Sequence, residues 1–458
     1  MNLDVFSVPK KYAESHSGVI DGCLYLYNPL SLKGLALLNQ EAQVFYDYID
    51  NTRNLSTILK LAKEQDPNIT QQDVIEVFES FLESDIIYFD QPKAPKDTFI
   101  SKPTQLGVWM HITNQCNLRC KYCYVNKTSE VMSKEVAETA TKNIFRDAKR
   151  HGFKHITFKF SGGEALLELS TILFVTDLAK KLAKETGLEV EFVVLSNGVL
   201  ITEEVAKTLK ENGIRASISL DGTEKYHDAQ RVFANGSGSF KFAINGIENL
   251  LAQKVPFNVS VTITNKNAEN LPELTKYLLD KDIPFAFNFY RENPYVTEDL
   301  YGEDEKLVEY VKKAYEVIYN NVPKNSLLAG ILDRINFVHP HRHTCGVGNS
   351  YIVVRHDGTM VSCQMTLEQP IGDVFHGDLV ATMENECFIE PKGLTVEGKT
   401  PCNTCMWRYI CCGGCPLLTK EHKGVYTANS PYCAVYKELI PEVLKLEAKR
   451  LLVYGINK

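Results

Sequence analysis

Ten of the thirteen cysteines in this 458-residue chain fall into two regularly spaced arrays. The first, in "CNLRCKYCY" (116–124), sets Cys116, Cys120 and Cys123 in the spacing C-x3-C-x2-C. The second is longer: Cys345 and Cys363, then Cys402, Cys405, Cys411 and Cys415 in the spacing C-x2-C-x5-C-x3-C, and finally Cys433. With no secretory signal ahead of them, clustered cysteines point to metal or catalysis rather than to disulfides. A structural zinc site takes four ligands, commonly in paired C-x2-C units. Three thiolates on a four-iron cube instead leave one iron without a protein ligand, open to a substrate or cofactor. A zinc knuckle for the first array and a zinc ribbon for the second are the plainer readings.

The elements around these arrays follow from patterning. Residues 1–92 carry one cysteine, Cys23, and read as a small α+β unit. "CLYLYN" (23–28) and "LALLN" (35–39) are strand-like, three helical patterns follow within 40–84, and "IIYF" (86–89) closes the unit. The third helical pattern places Val74, Val77, Phe78 and Leu82 on one stripe, and the whole resembles a winged helix. Residues 93–104 are charged, proline-bearing and aperiodic, hence a linker. Six strand-like runs then alternate with amphipathic segments: 107–113, 155–162, 189–198, 214–222, 257–264 and 284–290. That alternation predicts an α/β fold with a parallel sheet closed or partly closed as a barrel over 105–338, its chemistry at the C-terminal strand ends. From 339 to 435 glycines and cysteines multiply and helices thin out, so metal is expected to staple a region without a large apolar core. Residues 436–458 end in a helix.

Composition narrows the function. Apolar residues make up 44% and charged residues 23%, as in ordinary globular proteins. A net charge of -7 argues against general nucleic-acid binding. No signal peptide and no run long enough to span a membrane is found, so the expected location is the cytoplasm, with no membrane partner.

The run C-x3-C-x-Tyr-C, with Tyr122 in the aromatic place, resembles the signature of the radical S-adenosylmethionine superfamily. The resemblance implies a partial (β/α)6 barrel whose open iron is chelated by S-adenosylmethionine, cleaved by one electron to a 5'-deoxyadenosyl radical. It assigns "SGGEALL", with Gly162, Gly163 and Glu164, to the methionine amino group. Glycines at such a turn let backbone approach the cofactor; taken alone the turn is unremarkable. "LSNG", with Ser196 and Asn197, follows the third strand, and "SISLDG", with Ser219 and Asp221, follows the fourth. Ser219 and Arg231 would hold the carboxylate and ribose region of the cofactor. No residue is assigned as the catalytic acid, base or nucleophile.

The second array resembles the SPASM extension of these enzymes, whose seven signature cysteines are all present. By that resemblance Cys402, Cys405, Cys411 and Cys433 hold one auxiliary four-iron cluster and Cys345, Cys363 and Cys415 another, giving three [4Fe-4S] clusters in all. The fourth position of the latter is either Cys387, Cys412 or Cys23, or an open iron that a substrate thiolate could bind; the open site is the expectation. Gln364 stands directly after Cys363, where anaerobic sulfatase-maturating enzymes carry an aspartate base, and an amide takes no proton at neutral pH. Formylglycine formation is therefore disfavoured.

Residues 1–92 resemble a RiPP recognition element, implying that the leader of a ribosomally made precursor adds a strand to an open sheet edge and docks near Val74 and Phe78. The combined expectation is a maturase that joins a substrate cysteine sulfur to a neighbouring carbon as a thioether, as in sactipeptide and ranthipeptide maturation. An external one-electron donor such as flavodoxin or ferredoxin would be needed. Rival readings are a carbon-carbon or carbon-oxygen crosslinking enzyme, an epimerase using Cys387 or Cys412 as hydrogen donor, a cofactor- or haem-modifying enzyme, and a nonenzymatic redox sensor.

Overall fold

A computed structural model describes residues 3–93, 99, 102–296 and 298–455, so most of the expected linker lies outside the described residues. The chain opens with β1 (Lys10–Lys11), β2 (His16–Ile20), β3 (Cys23–Tyr27) and β4 (Leu35–Leu38), and β2-β3-β4 form an antiparallel sheet. Helices Gln40–Asp47, Leu55–Gln65 and Gln71–Glu83 follow, then β5 (Ile87–Tyr88), which pairs with β1. Each helix starts on a side chain that accepts from its first turn: Asn39, Asn54, and Thr70 in a reciprocal box with Asp73.

Strand β2 was not expected from sequence. Its "HSGVI" holds a glycine because the Tyr25 ring lies across Gly18, where a Cβ would come within 2.4 Å of the tyrosine oxygen. The alternation in β3 is decisive for packing. Leu24 and Leu26 join the three helices in one core, while Tyr25 and Tyr27 on the other face join the main core of the molecule. Tyr27 donates its hydroxyl to Phe337 O at 3.2 Å.

Six parallel strands come next: β6 (Gln105–Thr113), β7 (His155–Gly162), β8 (Glu189–Ser196), β9 (Ile214–Ser219), β10 (Phe257–Ile263) and β11 (Phe285–Phe289). They lie in sequence order, as the six strand-like runs require, with helices in every crossover. The sheet continues past β6 through β12 (Tyr351–Val354), parallel to it, and the antiparallel β13 (Thr359–Val361) and β14 (Pro370–Asp373). It remains open at β11 and β14. Phe158, Phe160 and Phe192 stack against each other in its core.

Two expectations are corrected. Residues 339–435 are not held by cysteines alone: β12 extends the parallel sheet, and Trp407, Ile410 and Leu418 belong to the main core. The last helix begins earlier than position 436, at Cys433, and runs to Tyr454, packed along helix Asp304–Asn320 and across β2, β3 and β4. The N-terminal sheet is thus covered on one face by its own helices and on the other by the C-terminal helix. Contacts between Arg408 and Glu14 at 3.1 Å, and between the rings of His16 and Trp407 at 5.3 Å, continue this seam. No helix among the described residues is long and apolar enough to cross a membrane.

Val74 and Phe78, expected on a docking surface, are instead 1% and 0% exposed. The apolar stripe that identifies the helix is the stripe that the module buries. Phe78→Ala should therefore destabilise this unit by about 3–5 kcal/mol. Hydrogen exchange is expected to accelerate across residues 71–83 while the amides of β6–β8 keep their protection; equal protection of 71–83 in the variant would contradict this.

Candidate functional site

The first cysteine loop leaves β6 at Thr113 and is clamped by the turn that ends β7. Gly163 N donates to Thr113 O at 2.7 Å and Glu164 N to Gln115 O at 2.8 Å. A Cβ on Gly163 would lie 2.1 Å from Gln115 O, and one on Gly162, whose φ is 154°, 2.2 Å from Thr113 O. The two glycines therefore serve close approach of the protein to itself, seating the loop that carries the cysteines.

Within that loop each thiol has a donor beside it. Leu118 N donates to Cys116 Sγ at 3.4 Å, Arg231 Nη1 to Cys120 Sγ at 3.7 Å, and Lys127 Nζ to Cys123 Sγ at 2.7 Å. Burial and then the neighbouring thiols push Cys120 up to about 12, with Arg231 opposing. Burial likewise raises Cys116. A metal cluster held here would draw these thiols to thiolates against that burial.

Glu164 is 1% exposed, yet its carboxylate is well partnered. Oε1 accepts from Ser196 Oγ at 2.8 Å and Leu166 N at 3.1 Å, and Oε2 from Asn197 N at 2.8 Å. Burial pushes its pKa above the usual carboxylate range, and these hydrogen bonds hold the rise back. Asn197 Nδ2 reaches Asn117 Oδ1 in the cysteine loop at 2.8 Å. The ends of β7 and β8 and the loop after β6 are thereby one network.

Asp221 is a second node, wholly buried. Its Oδ2 accepts from Tyr122 Oη at 2.5 Å and Arg231 Nε at 2.7 Å, and its Oδ1 from Thr262 N at 2.9 Å. Arg231 also lies over the Tyr122 ring, 5.3 Å from its centre. His227 stands behind, accepting Asp221 N on Nδ1 at 3.3 Å, and burial pushes it down to about 4, so it stays neutral in that role. Ser219 ends β9 half-buried. Gly162, Gly163, Glu164, Ser196, Asn197, Ser219 and Asp221 thus lie at or just beyond the C-terminal ends of β7–β9, and Tyr122, from the loop after β6, and Arg231, past helix Glu224–Asp228, join them through Asp221.

The second array divides in two. Cys402, Cys405, Cys411 and Cys433 line one cavity of about 470 Å³, beside Tyr436 and Lys437. Cys345, Cys363 and Cys415 line another of about 640 Å³ that reaches Trp109 and Tyr122 at the barrel mouth. Burial and the neighbouring thiols raise Cys402 to about 11 and Cys411 and Cys363 to about 12. Among the described residues no three His, Cys, Asp or Glu side chains converge on a point fit for one metal ion. Cysteine-only sets of four and of three thiols offer the donor chemistry that zinc or an iron-sulfur cube takes.

Cys412 has a left-handed backbone, φ 52°, and its thiol donates to His341 O at 3.2 Å, away from both sets. Cys387 lines a separate cavity of about 320 Å³ that also touches Cys345. Cys23 begins β3 in the N-terminal sheet. None of the three lines the cavity shared by Cys345, Cys363 and Cys415. Gln364 does, held by Tyr351, whose hydroxyl donates to its Oε1 at 2.9 Å.

Sequence reading missed Asn117 and Lys127, which sit inside the cysteine loop and could have been weighed for their proximity alone. It also missed Arg291, Asp333 and Arg334, which line the larger cavity from the turn after β11 and from an aperiodic segment. No periodicity or motif marks them.

Residues 110–278 match the family model of the Radical SAM superfamily. The chain is homologous to a cysteine-type anaerobic sulfatase-maturating enzyme of Clostridium perfringens, 26% identical over 371 residues that cover 75% of this chain and 95% of that enzyme. It is 24% identical to an Fe-coproporphyrin III synthase of Methanosarcina barkeri, over 78% of this chain and 92% of the synthase. A solved structure described as native anSMEcpe with bound AdoMet and Cp18Cys peptide shares the fold with a TM-score of 0.63, at 22% identity, over 76% of this chain and 99% of that one.

If the glycine turn seats the loop by close approach, Gly163→Ala should cost about 1–3 kcal/mol by overpacking. Calorimetry is expected to show a lower melting temperature; unchanged melting would refute the contact.

Proposed function

We propose that this chain is a radical S-adenosylmethionine maturase that forms a thioether between a cysteine sulfur and a nearby carbon of a ribosomally made peptide. One observation carries the reading. The cavity that begins at Tyr122, beside the first cysteine set, is also walled by Cys345, Cys363 and Cys415, with no other cysteine lining it. A peptide seated there lies against the second set and reaches Tyr122, which stands between Cys120 and Cys123, and the second set has three thiols rather than four.

In this reading Cys116, Cys120 and Cys123 hold the radical cluster. Gly162, Gly163, Glu164, Ser196, Asn197, Ser219, Asp221 and Arg231 shape the S-adenosylmethionine site, with Tyr122 packed under Arg231. Cys402, Cys405, Cys411 and Cys433 hold one auxiliary cluster of a SPASM domain over 339–435, and Cys345, Cys363 and Cys415 the other. When bound, these groups supply hydrogen-atom abstraction from carbon and accept the electron left over as the carbon–sulfur bond forms, while the thiol proton goes to solvent. Lys127 at Cys123 and Arg231 at Cys120 orient and partly neutralise the thiolates.

Residues 1–92 bind the leader along an unpaired edge of the β2-β3-β4 sheet. The buried stripe of Val74 and Phe78 keeps that module rigid instead of touching the leader. A flavodoxin or ferredoxin supplies the electron, and the reaction runs in the cytoplasm. The relatives named as sulfatase-maturating enzymes support a peptide or protein substrate. Gln364, fixed by Tyr351, supplies no base where formylglycine chemistry would want one.

The test is to incubate anaerobically reconstituted protein with reductant, S-adenosylmethionine and the precursor peptide encoded beside its gene. The expected product has lost two hydrogens per crosslinked cysteine and no longer reacts with an alkylating agent. A product that keeps alkylatable cysteines contradicts the thioether. An unchanged mass with solvent deuterium incorporated would mean epimerisation instead.

A further inference from the structure

The cavity of about 640 Å³ is lined by three basic side chains, Lys159, Arg291 and Arg334, and one acidic one, Asp333. Asp333 is already engaged. Arg291 Nη2 donates to its Oδ2, and Arg291 Nη1 to Phe289 O at 3.2 Å. The remaining reach of Arg291 is toward the Cys415 thiol. That arginine therefore belongs to the cysteine set.

Arg334 also lies near Cys345 and Cys415, but unlike Arg291 it makes no hydrogen bond to a thiol among the described residues. Its closest carboxylate oxygen is Asp333 Oδ1, 3.7 Å from Nε, and Nε is buried with no hydrogen-bond partner. About 33% of its side chain is exposed, on a residue that lines the cavity. Its backbone sits in the left-handed region, φ 62°, uncommon for a residue with a side chain and typical of positions held for function. Across from it, on the interior face of β7, is Lys159, half-buried and with no ion pair among the described residues. Burial and Arg334 hold the Lys159 ammonium below the ordinary lysine range. Beyond Asp333, only the Cys345 and Cys415 thiols offer Arg334 negative charge and none of these groups serves Lys159, so the two cations, which repel each other across one cavity, favour an added anion. The planar fork of an arginine matches a carboxylate with two parallel donors.

Resting on the peptide reading above, we propose that Arg334 and Lys159 form a recognition site for a carboxylate carried by the substrate, an acidic side chain or a free C-terminus. The site fixes which segment of the peptide lies between the two cysteine sets. It makes the enzyme selective for acidic residues close to the reacting carbon. Arg291 contributes by keeping Asp333 occupied, so that Asp333 does not neutralise Arg334.

The test uses reconstituted holoenzyme without reductant and with saturating S-adenosylmethionine, whose own carboxylate site is then filled. Binding of acetyl-aspartate N-methylamide, acetyl-asparagine N-methylamide and acetyl-alanine is followed by ligand-observed NMR. Wild type is expected to prefer the aspartate probe over the asparagine probe by at least about tenfold, as for a charge-assisted bond. Acetyl-alanine tells a terminal carboxylate from a side-chain one, and a preference for either supports the site. Arg334→Gln and Lys159→Met should bring the ratio to about one, with Arg334→Lys restoring part of it, while iron content and melting stay at the wild-type level.

Equal affinity for the aspartate and asparagine probes, with no binding of acetyl-alanine, overturns the proposal, as does absence of saturable binding by any carboxylate probe. So does an Arg334→Gln variant whose ratio is intact but whose auxiliary-cluster electron paramagnetic resonance spectrum shifts, since the arginine would then serve the thiolates. The two readings fail separately. Carboxylate preference with no peptide ever modified would remove the maturase and leave the site, and peptide modification without the preference would do the reverse.

Discussion

Two backbone hydrogen bonds, Gly163 N to Thr113 O and Glu164 N to Gln115 O, tie the turn after β7 to the segment that leads into the cysteine loop. Everything at the barrel mouth depends on that closeness. With side chains at 162 and 163 the turn and the loop would have to separate, since a Cβ at either glycine would lie barely 2 Å from a carbonyl oxygen. The same turn delivers Glu164 to Ser196 and Asn197, and Asn197 returns to Asn117 in the loop. The cysteines are therefore positioned by a closed circuit of three strand ends rather than by the loop's own preferences.

A second circuit runs through Asp221. One buried carboxylate satisfies Tyr122, Arg231 and Thr262 N, and the tyrosine in question lies between two of the cysteines. Its charge lets Arg231 stay cationic in the interior, where it faces Cys120. The contrast with Arg334 is instructive. Arg231 has a carboxylate at hydrogen-bond distance, whereas Arg334 has one at 3.7 Å that another arginine already holds. The first arginine is locked into the scaffold by its carboxylate, whereas the second keeps donors that its neighbours leave unused.

Much of this was legible in the sequence. The six parallel strands appear where alternation and β-branched runs put them, because strands buried on both faces need near-continuous apolar stretches. The two sets that the resemblance implies for the second array are the sets that line the two cavities, whereas spacing alone groups Cys415 with Cys402, Cys405 and Cys411. Other parts were not legible. β12, β13 and β14 are three to four residues long, too short for a period to show, and β12 is anchored by pairing with β6, more than two hundred residues earlier, while β13 and β14 add to it as antiparallel neighbours. β2 hid behind Gly18, whose reason is the ring of Tyr25 on the next strand. Val74 and Phe78 were misread because an apolar stripe looks the same whether a module's own core or a partner covers it. Arg291, Asp333 and Arg334 carry no local signal at all; only the fold brings them to one cavity.

The proposal assigns the ten spaced cysteines to three separate cluster sites, and the cavity lined by Cys345, Cys363 and Cys415 also reaches Tyr122 beside the first set. The most direct measurement is iron and acid-labile sulfide per chain after anaerobic reconstitution, with zinc counted on the same sample. About twelve irons and as many sulfides, falling to about eight when Cys402 and Cys405 are both changed to serine, is the predicted result. A plateau near four irons in the unaltered chain, or stoichiometric zinc in place of iron, would contradict it.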